Sequence, residues 1–98
     1  MADYLMLMHN DPVRPASEHD WATYLEALQQ SGKFRGGSAI GPGVCRRKSG
    51  AAPPVTDQID GYIRIEAGSL AEVEALLADN PVFENSGTVE IRELPKTG

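Results

Sequence analysis

Ser17-x-x-Asp20 and Ser69-x-x-Glu72 place the same helix-start signal twice in one short chain. In each, the serine accepts a hydrogen bond from an orphan N–H of the first turn, and the acid three residues on can reach back to the serine's own N–H. Each signal follows an apolar run of strand length and precedes a helical stripe, and each stripe leads into another strand. A doubled strand–helix–strand unit constrains the fold more than any other feature of this sequence.

The first unit opens with Tyr4 to His9, an apolar run closed by Asn10-Asp11-Pro12 that reads as a strand covered on both faces. Trp21, Tyr24, Leu25 and Leu28 follow helical spacing and form one stripe, and Gly32 ends the helix. Lys33 to Ile40 reads as the second strand, with Gly36-Gly37 marking a bulge or a close backbone approach. Gly41-Pro42-Gly43 is a turn, Val44 to Lys48 reads as a short returning strand, and Ser49 to Pro54 is loop.

In the second unit Tyr62, Arg64 and Glu66 alternate with Ile63 and Ile65, so Gly61 to Glu66 is a strand with one apolar face. Leu70, Val73, Leu76 and Leu77 form the stripe of the second helix, and Asn80-Pro81 stops it. Thr88 to Leu94 is the last strand, with Val89 and Ile91 inward and Glu90 and Arg92 outward. The order βαββαβ predicts an α+β, ferredoxin-like fold, a four-stranded antiparallel sheet with both helices on one face. Met6, Met8, Tyr62, Arg64 and Arg92 are assigned to the other face, which is too apolar to stay bare. Two such faces packed together about a two-fold axis predict a homodimer and a dimeric α/β barrel.

Length supports this. A chain of 98 residues reads as one domain, 1–98, and buries only roughly 60–65% of its unfolded surface, so a second subunit would add core. The single Cys45 allows no internal disulfide and suits a reducing compartment. The N-terminal apolar run lacks a basic flank and is too short for a signal peptide or a membrane span, so the expected location is cytoplasmic, with no membrane partner. A net charge of −5 argues against nucleic acid. The charge is uneven: Lys33 to Lys48 holds five bases and no acid, while Glu66 to Glu93 holds seven acids and one base, Arg92. Such segments are two solvated faces of opposite sign, or the basic one is a site for a small organic anion.

The segments YLMLMHND, WATYLEALQQSGKFRGGSAIGP, QIDGYIRIEAGSLAEVEALLADNP and GTVEIREL resemble the YCII-related family, closest to its DGPF branch of small dimeric α+β-barrel proteins. The resemblance spans nearly the whole chain and implies the same fold and dimer. Two departures bear on function. The Asp-Gly-Pro-Phe loop of that branch is replaced by SGAAPPVTDQIDG, with Asp57 near the branch's usual acid. The enzymatic relatives use a histidine near the start of the first helix, paired with an aspartate, and Trp21 occupies that position here. His19 lies two residues earlier, about 200° around a helix, and cannot substitute.

Among the candidate groups, His9 ends a strand at the sheet's edge, where it serves either as a general base or as a histidine bonded to a loop. Asp57 is the second candidate for proton transfer. Trp21, Arg46, Arg47 and Arg64 are candidates for ligand contact: an aromatic wall with guanidinium groups for an anion. The competing reading makes Trp21 core and pairs Arg64 and Arg92 with Glu66 and Glu90. Cys45 beside Arg46-Arg47-Lys48 is a reactive thiolate or an incidental cysteine. His9, Asp11, His19 and Asp20 have no metal-ligand spacing, and no phosphate loop is present, so neither metal nor cofactor is expected. Two functions follow. One is an accessory dimeric domain that binds a small molecule or a protein. The other is an enzyme moving a proton on a small aromatic or anionic metabolite through His9 or Asp57.

Overall fold

The computed structural model describes residues 1–96. Seven elements follow in order: β1 (Ala2–His9), α1 (Glu18–Ser31), β2 (Phe34–Ala39), β3 (Ile59–Ala67), α2 (Leu70–Ala75), α3 (Pro81–Glu84) and β4 (Val89–Leu94). The strands form one antiparallel sheet in the order β2-β3-β1-β4. This is the ferredoxin-like order the doubled unit predicts.

Local chemistry sets the helix ends. Ser17 sits in extended conformation and its hydroxyl accepts from Asp20 N, while the Asp20 carboxylate accepts from Ser17 N, completing the capping box. Gly32 closes α1 at φ 77°, a left-handed conformation that glycine adopts without a Cβ clash. Ser69 caps α2 in the same way, accepting from Glu72 N.

The second helix is shorter than its stripe suggests. α2 ends at Ala75, and after a turn Asn80 caps a separate short helix with Pro81 at its first position. Asn80 is wholly buried, and its side-chain oxygen accepts from Val82 N and Phe83 N. Asn80-Pro81 therefore starts a helix rather than merely ending one, because proline's missing N–H is harmless at the first turn. Val73 packs into the core with Leu76 and Leu77 against it, but Leu70 is 49% exposed. Leu70 is the first residue of α2, at the end of the stripe farthest from those contacts.

The core lies between the sheet and the helices. Tyr4, Met6 and Met8 of β1 meet Tyr24 and Leu28 of α1, Val73 and Val82 across from Ile63, Ile65 and Ala67. This corrects the expected face of Met6 and Met8. The register sets Met6 opposite Ile63, whose face carries the helices, so Leu5 and Leu7 take the other face with Tyr62, Arg64 and Arg92. Both faces of β1 are apolar, so its alternation alone could not choose. The Tyr24 hydroxyl donates to Leu76 O at 2.6 Å and lies 3.8 Å from the Met6 sulfur, joining α1 to the end of α2 over the sheet.

Gly36 and Gly37 form the expected bulge. Gly36 has φ 104°, and the β2–β3 register shifts between Phe34 and Gly37. Val44 to Lys48, expected as a strand, belongs to no element: residues 40–58 run without helix or strand. The Gly41-Pro42-Gly43 turn leads the chain away from β2 instead of back along it.

Candidate functional site

A cleft of about 690 Å³ opens where the C-terminal end of β1 meets the start of α1 and the β2–β3 pair. Its aromatic walls are Trp21, Phe34 and Tyr62. Met8, Leu25, Ile63 and Val82 supply aliphatic surface, and Pro12, Pro15 and Ala16 line it from the connection between β1 and α1. His9, Asn10, Ser38 and Asp60 are its polar side chains. This composition, mostly apolar with a few polar groups, is that of a small-molecule site.

Each wall has a local origin. Trp21 stands one turn before Tyr24 on α1, and the two rings meet edge to face at 6.1 Å. Tyr24 is buried whereas Trp21 is only partly covered, so one face of the stripe anchors the helix and its first residue borders the cleft. Gly37 permits the floor: a Cβ there would stand 2.5 Å from Tyr62 O and 3.1 Å from Ile63 Cα.

His9 is the site's one imidazole. Its Nε2 lies 3.0 Å from Glu90 Oε1, and Arg92 donates to the other Glu90 oxygen at 3.1 Å. His9 N also donates to Thr88 O, tying the strand end to the start of β4. The His9 hydrogen bond, followed by that from Arg92, holds the Glu90 carboxyl below its ordinary range. Nearby, Asp11 accepts from Thr88 N at 2.8 Å and from Thr88 Oγ1 at 2.7 Å, and these bonds lower its carboxyl likewise.

The sign of the resulting pH dependence follows. A carboxyl lowered in the folded state stabilises at pH above its unfolded value and loses that contribution as pH falls through the folded value. Melting temperature is therefore expected to hold near neutrality and to drop below about pH 4. Asp11→Asn should melt lower than wild type at pH 6 and lose less between pH 6 and pH 3. Parallel melting curves at the two pH values check this. The drop is modest, since both groups face solvent.

The candidate residues divide. His9 and Trp21 line the cleft together. Asp57 is exposed outside the lining, its backbone oxygen accepting from the Asn10 side chain. Arg46 and Arg47 are exposed on the 40–58 segment, Arg46 bonding only to the Cys45 carbonyl. Arg64 lies on the opposite sheet face, 3.9 Å from Asp3 rather than beside Glu66, which pairs with Arg35 at 3.1 Å. His19 is exposed on α1. Among the described residues no cluster of three His, Cys, Asp or Glu side chains could hold a metal ion.

Sequence reasoning missed Glu90 as the partner of His9, and Phe34, Tyr62, Asn10 and Asp60 as lining. The signal for Glu90 is its register: β4 pairs with β1 so that Val89 stands opposite Met8, next to His9. That register depends on residues about eighty positions apart and is invisible to local patterning.

The sequence matches the YCII-related domain over residues 2–96. The chain belongs to the YCII-related family. No curated protein matches it. Among solved structures it is similar to 5-chloro-2-hydroxyhydroquinone dehydrochlorinase (TftG) from Burkholderia phenoliruptrix AC1100, in complex with 2,5-dihydroxybenzoquinone. The TM-score is 0.59 at 17% identity, covering 97% of this chain and 95% of that one. At this identity the likeness attests the YCII-related fold. No helix among the described residues is long and apolar enough to cross a membrane.

Proposed function

We propose that this YCII-related chain binds a small planar aromatic compound carrying hydroxyl groups, and that His9 moves a proton on it. The observation behind this reading is the His9–Glu90 pair on the wall of an aromatic cleft. With Glu90 accepting from Nε2–H, the tautomer leaves the Nδ1 lone pair for a ligand hydroxyl. Transfer breaks the ligand O–H bond and forms Nδ1–H, giving an aromatic oxyanion and an imidazolium that Glu90 stabilises. This pair favours the enzymatic reading over the accessory one. TftG, with a quinone bound, is an example of the same fold accommodating an aromatic ring.

The lining also argues for a neutral ligand rather than an organic anion. No lysine or arginine lines the cleft, and Asp60 does. Asn10, Ser38 and Asp60 are suited to neutral hydroxyls, and Trp21, Phe34 and Tyr62 to a ring. On the opposite sheet face Leu5, Leu7 and Tyr62 are only half covered, and we propose that a second copy packs there face to face.

4-Nitrocatechol tests both parts, since its anion absorbs visibly. Wild type is expected to bind it and to hold it ionised below its solution pKa. Trp21→Ala should weaken binding, and His9→Asn should bind the probe protonated. Equal protonation in wild type and His9→Asn would reduce the chain to a binding domain. Stronger thermal stabilisation by benzoate or phosphate than by hydroquinone would overturn the ligand class.

A further inference from the structure

The segment between Ala39 and Ile59 is out of proportion to the domain. Nineteen residues without helix or strand are unusual inside a compact fold and are commonly functional. They enlarge the molecule: its radius of gyration is 15.0 Å, against about 12–13 Å for a compact chain of this length. The segment is an arm that exposes Ile40, Val44 and Val55, with Val44 71% exposed. It also carries Arg46, Arg47 and Lys48, none of which is in an ion pair among the described residues.

The opposite side of the sheet is its chemical complement. In the order β2-β3-β1-β4, β4 pairs with β1 on one side only, so its other edge presents free N–H and C=O groups. That edge is acidic. Glu90 and Glu93 fall on opposite faces of β4, while Arg46 and Lys48 fall on one face of an extended Val44–Lys48 and Arg47 on the other. Either pairing parity therefore brings opposite charges together on both faces. Val44-Cys45-Arg46-Arg47-Lys48 also has the composition of a strand, yet pairs with nothing in its own chain.

We propose that Val44–Lys48 adds as a fifth strand to the free edge of β4 in a second copy of this chain, each protomer giving one arm and receiving one. The symmetry is closed and self-complementary, so the pairing ends at a dimer. Main-chain bonds supply the ladder, and the arginines select the acidic edge. The arm leaves and rejoins the sheet at Ala39 and Asp60, both of which line the cleft, so its docking also fixes the cleft rim. The proposal goes beyond ligand binding and is read without a ligand.

The test is hydrogen exchange and light scattering on the full chain across a dilution series. Amides of Val44–Lys48 and the outer edge of β4 should be protected when concentrated and exchange freely when dilute. Arg46→Glu with Arg47→Glu should weaken the dimer about tenfold or more, and adding Glu93→Lys should restore much of it. Val44→Pro, which removes a ladder donor without altering charge, should weaken it as well. Unprotected Val44–Lys48 amides at every concentration overturn the proposal. So does a charge-reversed variant that dimerises like wild type, or a wild type that stays monomeric. 4-Nitrocatechol binding, measured separately, reports on the cleft whichever way this falls.

Discussion

Ile65→Ala is expected to destabilise the protein by about 2–5 kcal/mol, a large share of the ~5–15 kcal/mol typical of a folded domain. Ile65 is fully buried in β3, opposite Tyr4 of β1 on one side and Phe34 of β2 on the other. Both neighbouring backbones are held by the ladder, so the sheet cannot close over the lost methyl groups and a cavity remains. The paired control is Leu70→Ala, expected to stay within about 0.5 kcal/mol because the side chain is half exposed. Denaturant midpoints of the two variants decide it. A larger cost at Leu70 than at Ile65 would mean that α2 lies on the sheet with its whole stripe, as periodicity alone suggests.

Gly37→Ala is expected to cost about 1–3 kcal/mol and to abolish ligand binding in the cleft. The added Cβ would sit 2.5 Å from Tyr62 O, and backbone within a paired strand cannot yield as a flexible side chain can. β2 must therefore lift from β3 at the pairs Gly37–Ile63 and Ser38–Tyr62, whose residues line the cleft. Gly41→Ala is the control: a Cβ there meets nothing within 4 Å. Exchange protection at β3 amides should fall in Gly37→Ala and be unchanged in Gly41→Ala. Wild-type stability and 4-nitrocatechol binding in Gly37→Ala would show that the close approach is not required.

The two predictions rest on different kinds of information. The glycine pair was readable as a bulge from composition, since strands rarely carry adjacent glycines without reason. Which atom demands the missing Cβ, Tyr62 O, is known only once β2 and β3 are in register. Helix starts behave like the first kind. Ser17 and Ser69 cap their helices as the sequence predicts, because a cap is settled within four residues.

What the sequence determined by itself is therefore the local grammar: two capped helices, strands with apolar faces, the Gly32 stop, and from their order the βαββαβ fold. What the tertiary structure decided is everything requiring two distant segments to meet. β1 is apolar on both faces, so only the packing of α1 selects Met6 and Met8 as core over Leu5 and Leu7. Val44–Lys48 has a strand's composition but stays unpaired, because a strand exists only where a partner offers its edge. His9 acquires Glu90, and Trp21 becomes a cleft wall, through registers that no local pattern encodes. Caps and periodicities act over one or two turns of chain. Sheet register is fixed by side-chain burial and turn geometry summed over the whole fold, and so emerges only when the chain has closed on itself.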